Sequence, residues 1–167
     1  MTLSLKPLYK AFTLIELLIT LSIVAIVLGL AIPSLTNRVQ KESAGSTTQK
    51  MFHILHFARM EAIKRNQNVI VCGTSDFKSC SHNWSHGMMA YVDFNKDGSF
   101  NEQDLVLRVN KPNSNLTQID SGKVNTIKYA GNGRCLTRCT INIKTKEKLR
   151  NTIVLYDSGR ARIEYYG

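Results

Sequence analysis

Residues 11–33 read AFTLIELLITLSIVAIVLGLAIP, and this stretch decides the fold. From Phe12 to Ile32 the run holds 21 residues, and Glu16 is its only charge. As a helix rising about 1.5 Å per residue it spans roughly 32 Å, enough to cross the hydrocarbon core of a bilayer. Ahead of it, Met1 to Ala11 form a short segment carrying Lys6 and Lys10. A secretory signal removed behind its apolar run would leave small residues at a polar boundary there. This run instead passes through Pro33 and Ser34 into a helical pattern that reaches Arg65. The apolar segment is therefore expected to be retained. Lys6 and Lys10 hold the N-terminus in the cytosol by the positive-inside bias, so the rest of the chain lies across the membrane. A carboxylate within a membrane helix is costly, so Glu16 calls for a specific partner. Gly29 and Pro33 weaken the helix, since Pro33 lacks an N–H and clashes with the preceding turn.

Beyond the run, Met51, Leu55, Ala58 and Ala62 recur every three to four residues, with Phe52 and Ile63 flanking them. That spacing predicts the buried face of a long helix over 34–65. After Arg65 the pattern changes to short β-type runs between turn residues: 68–72, 88–94, 105–109, 126–129, 140–144, 151–156 and 160–165. Asp157-Ser158-Gly159 is the expected hairpin turn between the last two. The fold class is α+β, a long N-terminal helix packed on antiparallel sheet.

The formal charge is +10. From Lys123 onward there are ten Lys or Arg against three acids, a net +7 over 45 residues. A basic face of this kind attracts polyanions or anionic lipid. The four cysteines are Cys72, Cys80, Cys135 and Cys139. In an exported domain, Cys72–Cys80 and Cys135–Cys139 are the simplest bridges, though three connectivities are possible.

The octet Ala11-Phe12-Thr13-Leu14-Ile15-Glu16-Leu17-Leu18 resembles the class III signal of type IV prepilins and pseudopilins. The resemblance implies cleavage between Ala11 and Phe12 by a prepilin peptidase, followed by methylation of the new amino terminus on Phe12. It also implies that Glu16 pairs with the amino terminus of a neighbouring pilin in a filament. The family usually has Gly before the cut, where this chain has Ala11. Further on, the segment from Ala58 to Asn66, Val69 to Cys72, Trp84, Gly87, Asp93 to Gly98 and Ser158-Gly159-Arg160 resembles the FimT/GspH branch of the superfamily. GspH members are pseudopilins of type II secretion. FimT members are minor pilins, some serving DNA uptake in natural transformation. The implied organisation is a leader over 1–11, a transmembrane and assembly segment over 12–33, and a pilin-like globular domain over 34–167. The implied location is the bacterial inner membrane, single-pass, with the domain in the periplasm or displayed on a pilus. Other pilins and the prepilin peptidase are the implied partners.

The tail Gly159-Arg160-Ala161-Arg162 carries the candidate chemistry. On a strand, residues two apart share a face, so Arg160 and Arg162 are expected outward and Ala161 and Ile163 inward. Two guanidinium forks suit successive phosphates of a nucleic acid, and Tyr165 and Tyr166 could stack on bases. The Gly-Arg-x-Arg tail resembles the DNA-binding end of competence-associated FimT proteins. Lys144, Lys146, Lys148 and Arg150 alternate too, and if extended form a row on one side. Arg134 and Arg138 sit in or beside the 135–139 loop. With no base-reading motif, these residues predict DNA binding without sequence preference. The bland account of the same charges is a solvated edge that discourages aggregation.

Three other features are weaker. Asp93-Phe94-Asn95-Lys96-Asp97-Gly98 with Asp104 has the spacing of a calcium loop, but the closing Glu is absent and Lys96 intrudes. An Asx-rich turn explains the same residues. His82 and His86 lie near Cys80, but zinc would require that cysteine as a thiolate. No nucleophile–base pair, phosphate cradle or paired catalytic carboxylate stands out, so an enzyme, a metal site and a cofactor are not expected.

Overall fold

The computed structural model describes residues 12–112, 115–146 and 148–166, without the side chains of 30–34. The expected leader lies outside the described residues. The chain divides into two compact units, residues 1–38 and 39–167.

The described part of the first unit is the opening of α1 (Leu14–Arg65). Thr13 caps it: its Oγ1 accepts the Glu16 N–H at 3.3 Å, and its carbonyl accepts the Leu17 N–H at 3.2 Å. Glu16 therefore occupies the first turn, where the helix dipole favours a carboxylate. The apolar side chains from Phe12 to Leu28 are exposed. The helix runs unbroken past Gly29 and Pro33. Among the described residues no helix is long and apolar enough to cross a membrane; the span expected over 12–33 includes side chains outside the described set.

In the second unit α1 supplies one stripe of the core. Ala44, Met51, Leu55, Ala58 and Ala62 follow a seven-residue rhythm and are buried, with Thr48 filling the remaining place. Its end is a Schellman motif. Asn66 takes a left-handed φ of 52°, its N–H bonds the Ile63 carbonyl, and the Gln67 N–H reaches back to Ala62. Asn is one of the few residues besides Gly that tolerates that conformation.

Eight strands follow, in two antiparallel sheets. The first sheet contains β1 (Val69–Gly73), β2 (Met88–Val92), β3 (Leu105–Asn110) and β5 (Thr126–Tyr129). Its order is β3-β2-β1-β5. The second contains β4 (Gln118–Asp120), β6 (Cys139–Thr145), β7 (Lys148–Leu155) and β8 (Ala161–Tyr165), ordered β4-β6-β7-β8. Seven of the eight correspond to strands anticipated from the sequence. β4 does not, because its three residues contain one apolar side chain, Ile119, and so show no alternation.

Both faces of β1 and β2 are buried. Val69, Val71, Ala90 and Val92 face the core that α1 shares with Ile141, Ile143, Ile153 and Leu155 of the second sheet. On the far face Ile70, Cys72, Met89 and Tyr91 form a smaller cluster with Phe100. The Cys72–Cys80 bridge forms there. Trp84 plugs the main core, and its Nε1–H donates to the Val124 carbonyl at 3.1 Å.

Trp84→Ala leaves a large cavity and removes one of the two hydrogen bonds to the Val124 carbonyl, which keeps the one from Ser121 Oγ at 2.8 Å. It is expected to cost about 3–5 kcal/mol, measured by urea unfolding followed by circular dichroism.

Candidate functional site

Two tight turns of the same design meet at one end of the second sheet. In the first, Gly133 N–H bonds the Ala130 carbonyl at 2.8 Å, and Ala130 N–H bonds the Arg134 carbonyl at 2.9 Å. The second repeats the pattern: Gly159 N–H to Tyr156 at 2.8 Å, and Tyr156 N–H to Arg160 at 3.0 Å. Each turn needs a left-handed residue, supplied by Gly133 (φ 79°) and Gly159 (φ 78°). Each is followed at once by an arginine. Asp157-Ser158-Gly159 is thus the turn expected from the sequence, and Gly131-Asn132-Gly133 is its counterpart.

The turns touch. A Cβ on Gly159 would lie 2.0 Å from the Gly133 carbonyl oxygen, and the Cys135 N–H donates to the Asp157 carbonyl at 3.1 Å. Arg59 braces the contact from α1, its Nε donating to that Gly133 carbonyl at 3.1 Å. Arg134 and Arg160 are both exposed on this doubled turn. Arg138, also exposed, precedes the start of β6, where Cys139 pairs with Leu155. Three candidate arginines therefore share one end of the sheet.

Arg160 and Arg162 point outward while Ala161 and Ile163 pack on the core, as alternation predicts. Arg162 is ion-paired to Glu164, which also accepts from the Tyr166 hydroxyl at 3.1 Å. Its charge is partly offset within its own strand.

The lysine row expected over 144–150 does not form. The chain reverses at Lys146 (φ 45°), so Lys144 lies on β6 while Lys148 and Arg150 lie on β7. Lys144 pairs with Asp120 at 2.9 Å. Arg150 is buried, its Nε donating to Thr145 Oγ1 at 2.7 Å, and it serves the core rather than a ligand. Lys146 and Lys148 are exposed at the opposite end of β7. Seven strand steps of about 3.3 Å put that end some 23 Å from the doubled turn. Tyr165 pairs with Asn151 near the lysine end, away from Arg160.

Cys135 and Cys139 are thiols, not the expected bridge. Cys135 Sγ lies 3.2 Å from the Thr137 carbonyl, while Cys139 is committed to the first rung of β6. Burial raises both thiols, Cys139 to about 11 with Cys135 adding to the shift.

In the 93–104 loop, Asp93 is buried and pairs with Lys128 at 3.2 Å while accepting the Gly98 N–H. Asp97 accepts from Ser99, and Asp104 from Phe94 and Asn101, so the loop is knit as Asx turns. His82 bonds Asn125, and the Cys80 sulfur is in the bridge. Among the described residues no group of three or more His, Cys, Asp or Glu could hold a metal ion.

Arg59 is the contributor that sequence reasoning did not assign. The signal for it was helical: Phe52, His56, Arg59 and Ile63 recur at four, three and four, a stripe beside the core stripe.

The chain matches the family described as type II transport protein GspH over residues 47–162. It matches the prokaryotic N-terminal methylation motif over residues 7–32. No curated protein is a sequence match. The fold is similar to that of the type IV minor pilin FimU of Pseudomonas aeruginosa in two crystal forms. The first gives a TM-score of 0.59 at 19% identity, covering 78% of this chain and 92% of that one. The second gives 0.57 at 18%, covering 72% and 91%. The minor pseudopilin EpsH from the type II secretion system of Vibrio cholerae scores 0.53 at 15% identity, covering 76% and 96%. At these identities the likeness concerns the fold.

Gly159→Ala sets a Cβ against the Gly133 carbonyl in a left-handed residue, and is expected to cost more than about 2 kcal/mol. Gly122→Ala has the same backbone sign (φ 64°) but open space, and should cost about 1 kcal/mol. Urea unfolding followed by fluorescence of Trp84 measures both. The raised thiols hold their protons more tightly folded than unfolded. Their contribution is full below pH 9 and fades as pH rises toward about 11. The melting temperature should fall across that window, and less steeply in Cys139→Ser.

Proposed function

We propose that this chain, which belongs to the type II transport protein GspH family, is a minor pilin that binds DNA without sequence preference for uptake in natural transformation. One observation carries this reading: two touching Gly-Arg turns present Arg134 and Arg160 together, with Arg138 beside them. Guanidinium groups on short, hydrogen-bonded turns lose little freedom when they meet phosphates. Nothing in the arrangement reads base edges, which fits contact with the backbone. Arg162 joins when a phosphate competes it away from Glu164. Lys146 and Lys148 stand too far off to share the same short stretch of strand.

The display of this surface follows from the other end of the chain. In this reading residues 1–11 are removed at Ala11/Phe12, and Phe12 is N-methylated by the same prepilin peptidase. Residues 12–33 anchor the protein in the inner membrane, with 34–167 displayed beyond it. Glu16 pairs with the amino terminus of a neighbouring pilin. The methylation motif over 7–32 and the exposed apolar side chains along the first turns of α1 support this. A second role, priming assembly of a type IV pilus or type II secretion pseudopilus, needs only the anchor and Glu16. The exposed Glu16 in the first turn of α1 favours it, and the two roles are compatible.

Fluorescence anisotropy of the full chain in detergent with labelled DNA tests the binding. With Arg134, Arg138, Arg160 and Arg162 as four contacts, log affinity on duplex should fall with log salt at a slope near −3.6. Arg134→Gln with Arg160→Gln should weaken binding more than about tenfold. Lys146→Gln with Lys148→Gln should change it less than about threefold. Equal affinity in the arginine pair and the parent chain would remove the basis of the proposal.

A further inference from the structure

Behind Arg160 the surface opens into a cavity of about 240 Å³. Its α1 side is the stripe of Phe52, His56 and Arg59, and its other side is Tyr129 with the backbone of Gly159 and Ala161. Arg160 stands at the rim. The cavity adjoins the arginine end of the sheet.

Its chemistry is of two kinds. The rings of Phe52 and His56 are stacked, 24° from parallel with centres 6.5 Å apart, and both line the cavity. Next to them are two guanidinium groups. Arg59 has five N–H donors, and among the described residues its hydrogen bond is the one from Nε to Gly133. Its remaining N–H groups are available to a second acceptor. Arg160 makes no side-chain bond among the described residues. Tyr129 adds a buried hydroxyl with no hydrogen-bond partner.

Flat faces beside paired cations are what a nucleotide requires: rings to stack on the base and forks to hold the phosphate. A duplex keeps its bases stacked inside and cannot offer one to such a hollow. A single strand can. The volume falls below the ~300–1,000 Å³ of sites that take drug-sized ligands, which suits one base and not a run of them.

We propose that this cavity is a nucleotide subsite, holding one unstacked base of single-stranded DNA against Phe52 and His56 while Arg59 and Arg160 hold its phosphate. The proposal rests on the reading that the Gly-Arg turns bind DNA, and goes beyond it in naming the strand form. Arg59 then has two duties, bracing the doubled turn and meeting the ligand. The doubled turn brings the strand to the opening, and the cavity discriminates whether a base is free to enter.

The test compares a 12-nucleotide thymidine strand with a strand of the same length and charge carrying abasic sites, using the full chain in detergent and anisotropy as readout. The intact strand should bind about tenfold more tightly than the abasic one. Phe52→Leu with His56→Ala keeps the apolar packing of position 52 and changes an exposed residue at 56. That variant should bind both strands alike, at the affinity of the abasic strand, with its salt dependence intact. If the parent chain binds both strands equally, yet still loses binding in Arg134→Gln with Arg160→Gln, the subsite is wrong and the DNA-binding surface stands. Persistence of the tenfold preference in the Phe52/His56 variant places the base elsewhere and also overturns the subsite. Absence of binding to any of these strands and to duplex overturns both.

Discussion

One stripe of α1 serves two sheets at once. Ala44, Met51, Ile54, Leu55, Ala58 and Ala62 are buried against β1, β2 and β5 on one side and β6 and β7 on the other. Neither sheet could bury its inner face alone, because each has four strands and needs a cover. The stripe alternates small residues, Ala44, Ala58 and Ala62, with larger ones. The larger Met51 and Leu55 fill the space between layers. Everything that the second unit displays is positioned by this shared support.

The arginine end follows from it. The stripe next to the core stripe carries Phe52, His56 and Arg59, and it runs beneath the place where the two turns meet. A helix that fixes its core face also fixes this neighbouring face, one rotation of about 100° away. The rigidity of the arginine cluster is thus borrowed from apolar packing. Among the described residues, Arg162–Glu164 is the one ion pair on its strand.

The layered architecture was legible because it rests on periodicity. The three-to-four spacing over 51–62 and the alternation of 160–163 both survive in the structure as burial patterns. What depended on a turn was legible only in part. The alternation of Lys144, Lys146, Lys148 and Arg150 is real in the sequence, but a reversal at Lys146 distributes those residues over two strands, and Arg150 answers to Thr145. Alternation predicts a shared face only while the chain stays extended, and Thr145-Lys146-Glu147 carries no Gly or Pro to announce a reversal. The same limit applies to the doubled turn. Each half has a recognisable Gly, but nothing local tells that the two halves touch. The Cys135–Cys139 spacing misled for a related reason, since sequence proximity does not fix how two side chains are directed once one of them joins a strand.

The contact between Gly133 and Gly159 has a mechanical side. Two backbones this close act as a key in a slot: neither hairpin can slide, lengthen or tilt unless the other yields with it. A chain of this kind can vary its outer strands freely in composition, yet it cannot accept an inserted residue in either loop without releasing both arginines together.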